Sequence, residues 1–154
     1  MFLKMRTHRI GWVGLIGLAL LLTGCGNDKS NPVPSYPVYL DLDITAQFPH
    51  FVPANGFQTM TFTTRRYERE YIGYGGVLVV SAMDGQYHAL DLCCPVCLLR
   101  DSVVQTDGIY AVCPICGEQY DVSYGMGLPM KGKSKWALRE YKCFRDGGHL
   151  IIRN

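Results

Sequence analysis

Residues 77–92 read VLVVSAMDGQYHALDL and predict a β-hairpin. The first half, 77–82, is a continuous apolar run rich in β-branched residues, which is typical of a strand. Asp84 and Gly85 form a turn signal, because this pair readily adopts the left-handed backbone that tight hairpin turns require. The second half, 87–92, predicts a returning strand that ends at a group of cysteines.

Short strands are also indicated through the rest of the chain from residue 38. Residues 38–44 alternate apolar and polar side chains with the period of two that marks a half-buried strand. No segment shows the pattern of a long helix. The predicted strands are 38–44, 57–63, 77–82, 87–92, 102–105, 109–112, 119–122, 138–144 and 149–152. Many short strands separated by turn signals predict an all-β domain over 38–154, built as an antiparallel sandwich or a small barrel.

Two cysteine knuckles each follow one of these strands. They read Cys94-Pro95-Val96-Cys97 and Cys113-Pro114-Ile115-Cys116. The 15 residues between Cys97 and Cys113 fit the spacing at which two C-x-x-C turns hold one metal centre. We therefore predict that the metal ligands are Cys94, Cys97, Cys113 and Cys116.

The amino terminus carries the pattern of an export signal. Lys4, Arg6 and Arg9 precede an apolar run at 10–22 that is too short for a mature membrane span, so residues 1–24 are interpreted as a signal peptide. The run ends Leu22-Thr23-Gly24-Cys25, which resembles the lipobox of bacterial lipoproteins. Lipidation of Cys25, for example with palmitate, would anchor the chain to a membrane of the bacterial cell envelope, at the outer membrane or the periplasmic face.

Residues 25–37 are polar and contain three prolines, which predicts a flexible tether between the lipid anchor and the domain. Removal of residues 1–24 would leave 12 basic against 13 acidic residues, because three of the 15 Lys and Arg and none of the 13 Asp and Glu precede Cys25. A net charge of −1 argues against nucleic acid as a partner.

Residues 76–153 resemble the Rieske iron–sulfur family. The stretch DGQYHAL at 84–90, leading to Cys94-Pro95, resembles the strand before the first Rieske cluster loop, and CPICGEQYD at 113–121 resembles the second loop and the strand after it. Gly125, Gly132 and the sequence LREY at 138–141 fall where that family has a glycine turn, a loop over the cluster and a strand ending in tyrosine. The resemblance implies a Rieske-like β-domain.

The resemblance further implies a [2Fe-2S] cluster, single-electron transfer and a redox or envelope protein as partner, rather than a stand-alone enzyme. Rieske centres use two histidines on one iron, whereas Val96 and Cys116 occupy those positions here. The ligands would then be four thiolates, with Cys97 in place of a histidine.

Two other interpretations of the cysteines remain open from the sequence. Four thiolates also suit zinc in a non-redox structural or binding module, which an exported chain could acquire after crossing the membrane. Disulfides are the third possibility, because the envelope is oxidising and six cysteines remain besides Cys25. Cys93 is predicted to be a small buried residue, and Cys143 is either part of the core or a disulfide partner of Cys93.

Residues 127–134, GLPMKGKS, fit the pattern of a phosphate-binding loop. That motif requires a buried parallel strand before it and a helix after it, and neither is predicted. We interpret the segment as a flexible basic loop near the cysteine site and predict no nucleotide partner. No catalytic set of residues is evident, so no enzymatic role is predicted.

Overall fold

The structure is a computed structural model that describes residues 31–154. The predicted signal peptide and Cys25 lie outside these residues. Within them, all regular structure is β except for one short 3-10 helix, Pro53–Asn55, so the all-β prediction is confirmed. No helix in this range is long and apolar enough to cross a membrane.

Eleven strands build the described part of the chain. They are β1 (Val38–Asp43), β2 (Gln58–Phe62), β3 (Tyr71–Ile72), β4 (Val77–Ser81), β5 (Tyr87–Asp91), β6 (Gln105–Asp107), β7 (Tyr110–Val112), β8 (Gln119–Asp121), β9 (Leu128–Lys131), β10 (Glu140–Asp146) and β11 (His149–Arg153). A larger sheet has the order β2-β4-β5-β10-β11-β1-β3, and a smaller sheet has the order β6-β7-β8-β9. Neighbouring strands are antiparallel throughout both sheets.

Strand β4 separates two apolar clusters, which explains its uninterrupted apolar sequence. Val77 and Val79 face a first cluster that includes β1 and β11, whereas Leu78 and Val80 face a second cluster shared with the smaller sheet. Successive side chains of a strand point to opposite faces, so a strand covered on both faces needs apolar residues at every position. The second cluster ends in Cys94 and Cys113, and it therefore connects the core to the cysteine knuckles.

The predicted hairpin is present, with β4 and β5 paired from Val77↔Asp91 to Ser81↔Tyr87. The strand predicted at 102–105 begins only at Gln105. Residues 102–104 instead run beside the residues that follow β5. Val103 forms an isolated antiparallel β-bridge with Cys93, and the Val104 amide donates a hydrogen bond to the Leu92 carbonyl at 2.8 Å. This segment joins the two sheets because its backbone groups pair with the larger one.

The interpretation of residues 127–134 as a flexible loop is wrong, because four of them form strand β9 at the edge of the smaller sheet. β9 pairs with β8 through a bulge at Gln119 and Tyr120. Pro129 lies opposite Tyr120. Proline is tolerated at this place because an edge strand can lack one ladder donor.

Residues 31–37 pack against the domain, in contrast to the flexible tether predicted over 25–37. Val33 is fully buried, and its carbonyl accepts a hydrogen bond from Arg139 Nε at 2.9 Å. Asn31 Nδ2 donates to the Ala137 carbonyl at 2.8 Å. Further along, the ring of Tyr36 lies 5.3 Å from that of Tyr74. The ordered domain therefore includes residues before 38.

Candidate metal centre

The two knuckles have equivalent backbone geometry. In the first, the Leu98 amide donates to the Cys94 carbonyl at 3.0 Å; in the second, the Gly117 amide donates to the Cys113 carbonyl at the same distance. Both turns end on a left-handed residue, with φ of 54° at Leu98 and 72° at Gly117. Leucine rarely adopts this conformation, so the fold holds the first knuckle in a strained form of the turn that glycine makes freely in the second.

The structure brings all four predicted cysteines together. Their sulfur atoms lie within 4.8 Å of one another. Cys94 Sγ is 3.6 Å from Cys116 Sγ, and Cys97 Sγ is 3.7 Å from Cys113 Sγ, so each close pair joins the two knuckles. A disulfide bond is about 2.05 Å long, and the six cysteines of the described range are free thiols. The group is a cysteine cluster that could hold a metal.

The sulfur spacing fits a tetrahedral ion. A Zn–S bond of about 2.3 Å places the sulfurs of a regular tetrahedron about 3.8 Å apart. The two measured separations of 3.6 and 3.7 Å are close to that edge. The donor set and these two separations therefore suit a closed four-thiolate site.

Hydrogen-bond donors surround the sulfur atoms. The Tyr120 hydroxyl lies 3.4 Å from Cys94 Sγ, and the Ser102 hydroxyl lies 3.8 Å from Cys113 Sγ. Both side chains are buried. Burial, followed by the contact with Cys94, raises the pKa of Tyr120, so it keeps its proton for donation. Donors of this kind stabilise thiolate charge and orient the ligands.

The thiols differ in acidity. Burial on its own would raise the pKa of Cys113, but the backbone amides of Cys116 and Ile115 outweigh it and lower the pKa to about 7. Burial raises the pKa of Cys97 and of Cys116. Metal binding to this group must therefore displace protons, which is general for thiolate sites.

Asp91 fixes the first knuckle to the larger sheet. This carboxylate is fully buried at the end of β5. It accepts hydrogen bonds from the amides of Tyr74 (2.9 Å), Gly75 (3.0 Å) and Cys93 (2.7 Å), and from the Tyr141 hydroxyl. A side chain at Gly75 would come within 2.6 Å of the Cys93 amide nitrogen, so glycine is required there. The four donors compensate for burying a charge.

Glu118 has the corresponding role beside the second knuckle. Its buried carboxylate accepts hydrogen bonds from the amides of Lys133, at 2.5 Å, and Ser134, at 2.9 Å. Gly132, with φ of 119°, leaves the space that the carboxylate fills. The segment that resembles a phosphate-binding loop thus directs two amides at an internal carboxylate.

Asp91 and Glu118 support the site but are not among the residues predicted from the sequence. An acidic residue inside an otherwise apolar strand, as in Ala89-Leu90-Asp91-Leu92, is the signal that could have found Asp91. Glu118 has no comparable signal, because its partners are backbone amides 15 and 16 residues away.

Cys93 and Cys143 do not join the cluster. Cys93 is fully buried, and its sulfur contacts the carbonyls of Cys94 and Leu99. Burial raises the pKa of Cys93 and of Cys143 to about 12 in each case. Cys143 packs against the first apolar cluster, whereas Cys93 lies beside the knuckles, so the two thiols are not paired. His88 is also outside the site, with Nε2 3.0 Å from Asp84 Oδ2.

Comparison with known proteins finds no matching family model and no matching curated protein.

Proposed function

We propose that Cys94, Cys97, Cys113 and Cys116 hold one zinc ion in a structural site of a lipid-anchored envelope protein. The observation that carries this proposal is the mutual proximity of the four sulfur atoms, all within 4.8 Å of one another. Four ligands around one ion are equally close to each other. In a [2Fe-2S] cluster each iron takes two of the four ligands, so ligands on different irons are separated further by the width of the cluster.

A four-thiolate zinc site has no open coordination position, and zinc has no redox chemistry, so the ion would stabilise the fold. The location of the site supports this role. Cys94 and Cys113 end the second apolar cluster, and the closest sulfur pairs each join one knuckle to the other. The ion would connect the loop that follows β5 of the larger sheet to the loop between β7 and β8 of the smaller one.

The envelope location is proposed from the sequence around Cys25. An exported chain that crosses the membrane unfolded can take up zinc afterwards, whereas iron–sulfur clusters are generally assembled before export. Zinc is therefore consistent with the export signal predicted at residues 1–24. In this proposal the protein is a binding or structural module, and it acts through its surface rather than through redox chemistry.

A second candidate is the [2Fe-2S] electron carrier implied by the resemblance to the Rieske family. Hydrogen bonds to the sulfurs from Tyr120 and Ser102 favour it, because such bonds tune cluster potentials. The exposed Cys116 would provide a route for electrons to a redox partner. This candidate requires the knuckles to separate from the spacing described above.

Metal analysis of protein isolated from its native envelope separates the candidates. Zinc is supported by one zinc per chain in a colourless protein. Two irons with acid-labile sulfide, visible absorption and an electron paramagnetic resonance signal after reduction would establish the cluster and exclude zinc. A single iron without sulfide would retain the one-ion geometry and exclude zinc as its occupant. Mass spectrometry of the N-terminal peptide tests lipidation of Cys25 independently.

A further inference from the structure

The outer surface of the two knuckles is unusually apolar. Val96, Leu98, Leu99 and Ile115 are all exposed there, with Leu99 at 52% and Ile115 at 61%. They lie within or directly after the knuckles but do not supply ligands. Large apolar side chains grouped at loop tips indicate a contact surface rather than isolated exposure.

Three lysines lie next to these tips. Lys131 pairs with Gln119, just after the second knuckle, and the Lys133 amide contacts Glu118. Lys135 follows in the same loop and, like the other two, is exposed. The ion pairs found among residues 31–154 involve none of the three. We call the four apolar residues and three lysines together the knuckle face.

Negative charge is scarce on this surface. Segments 94–101, 113–118 and 131–137 contain two acidic residues, Asp101 and Glu118. The Glu118 carboxylate is buried and occupied by backbone amides. Asp101 is the remaining exposed acid and is next to Arg100. Apolar tips bordered by lysines match the boundary between acyl chains and anionic headgroups of a bilayer.

The described chain begins beside the same face. Asn31 is hydrogen-bonded to Ala137, two residues after Lys135. Tyr36 continues past Arg100, whose guanidinium lies 5.5 Å from the tyrosine ring centroid, and Tyr74 reaches the Leu98 carbonyl at 3.3 Å. Five residues lie between Cys25 and Asn31, so six Cα-to-Cα steps connect them and can span about 20 Å at most when extended. An anchor at Cys25 would hold this end of the domain close to the bilayer.

We propose that the knuckle face lies against an anionic lipid bilayer, with the apolar tips in the interfacial region and the lysines on the headgroups. This inference rests on the proposed lipid anchor but not on the identity of the metal. It assigns the exposed residues of the two knuckles a role in orienting the domain, which is separate from the role of their cysteines.

Trp136 provides a built-in probe of this orientation. The chain has two tryptophans, and Trp12 falls within the predicted signal peptide, so mature protein retains only Trp136, next to Lys135. The lipidated protein is reconstituted into vesicles of equal parts phosphatidylcholine and phosphatidylglycerol, with bromine-labelled acyl chains. We expect quenching of Trp136 fluorescence and slowed hydrogen exchange in 94–101 and 131–137, both weaker in pure phosphatidylcholine.

Charge reversal at Lys131→Glu, Lys133→Glu and Lys135→Glu should remove both signals. Each lysine near an anionic surface contributes about a fivefold preference for the bound state, so the loss of three positive charges alone should change the docked-to-free ratio about a hundredfold, and the three added negative charges should increase this change. Lys142→Glu, at an exposed residue of β10 in the larger sheet, is the matched control and should change neither signal. Leu99→Gln with Ile115→Gln tests the apolar tips separately. Metal content and circular dichroism verify folding of each variant.

Equal quenching and protection in wild type and the lysine triple variant would overturn the proposal, as would anchored protein with neither signal. Slowed hydrogen exchange of the knuckle face in native membranes but not in pure lipid vesicles would also overturn the proposal and would favour an acidic protein as the partner. If Cys25 carries no lipid, the anchor proposal fails separately. Unlipidated mature protein is then sedimented with the same vesicles. Binding of the wild type that is lost in the lysine triple variant supports the proposal for the knuckle face. Equal binding of the two proteins, or no binding of the wild type, overturns it.

Discussion

The two sheets are stabilised by different means. Strands β1, β4, β5, β10 and β11 of the larger sheet are five to seven residues long, and β1, β4 and β11 supply most of the first apolar cluster. Strands of the smaller sheet are three or four residues long, and β6 and β9 contain no buried residue. The comparison indicates that the larger sheet has enough apolar burial to be stable, whereas the smaller sheet depends on the second cluster and on the cysteine site.

Loss of one cysteine of the proposed metal site should break this arrangement most severely. Cys113→Ser is expected to lower the free energy of unfolding by about 5 kcal/mol or more, because binding energy at a structural zinc site is folding energy. Thermal melting with and without a zinc chelator measures the effect. Hydrogen exchange should show loss of protection in β6 to β9 before β1 and β11.

Cys143→Ala is the matched control for this substitution. Cys143 lies in the larger sheet beside the first apolar cluster, so its truncation should cost about 1 kcal/mol and leave the chelator response intact. Equal losses for the two variants, or melting of Cys113→Ser that still responds to chelator as wild type does, would contradict a metal at this site.

Removal of the Asp91 charge should weaken the connection between the sheets. In Asp91→Asn, one acceptor oxygen is replaced by a donor that faces backbone amides. We expect a loss of about 3 kcal/mol in the free energy of unfolding, since buried donors are left without acceptors. Zinc affinity, measured by competition with a chelator of known strength, should fall as well, because the hydrogen bonds that position the Cys93 amide and its neighbours weaken when the carboxylate charge is lost.

Tyr141→Phe gives the comparison for Asp91, because it removes a single hydroxyl donor to the same carboxylate. We expect the free energy of unfolding to fall by about 1 kcal/mol and the zinc affinity to change little. If Asp91→Asn lowered stability and left zinc affinity at the wild-type level, Asp91 would stabilise the sheet without positioning the knuckle.

A comparable effect is expected where the smaller sheet meets Glu118. Gly132→Ala places a methyl group against the Glu118 carboxylate at a left-handed backbone position. We expect a loss of about 3 kcal/mol from the clash and the strained backbone together. Gly108→Ala in the β6–β7 turn has φ of 57° and open space around it, so it should cost only about 1 kcal/mol. Urea denaturation midpoints measure both, and similar costs would show that the contact with Glu118 is unimportant.

The sequence predicts strands in both sheets, including 109–112 and 119–122, which lie close to β7 and β8 of the smaller sheet, and the strands that it misses have a physical reason. Alternation along 38–44 and the apolar run at 77–82 reflect burial over a whole strand, and both are close to the observed strands. Strand β9 escapes prediction because Pro129 and the flanking glycines are typical of loops, and only its edge position makes them compatible with a sheet. Strand β3 of the larger sheet also escapes prediction, because its two residues are too few to show a periodicity.

The same distinction holds within the candidate site. Knuckle spacing identifies the four cysteines that meet, because two C-x-x-C turns have few other ways to share a centre. The carboxylates that support them depend on contacts between distant segments, such as Asp91 with Tyr74 and Glu118 with Ser134. Spacing along the chain does not distinguish a single ion from a two-iron cluster.

The smallest predicted effect is a pH response confined to the larger sheet. His149 Nδ1 on β11 lies 2.6 Å from Asp41 Oδ1 on β1, and this hydrogen bond raises the pKa of His149 above its usual 6.5. Asp43 and Asp146 add to the shift. A raised pKa in the folded state means that the protonated form is bound more tightly there. The stabilisation is therefore complete below pH 6.5 and is lost as the pH rises through the folded-state value.

His149→Gln should flatten this part of the stability profile, measured as urea midpoints across the pH range that begins below 6.5. The wild type should exceed the variant at acid pH and converge with it at higher pH, and Asp41→Asn should remove the same difference. Because the pair is at the surface, the change should be small. Hydrogen-exchange protection factors in β7 and β8, corrected for the intrinsic pH dependence of amide exchange, should not follow this change. A matching pH response there would show that the two sheets unfold as one unit even with the metal site intact.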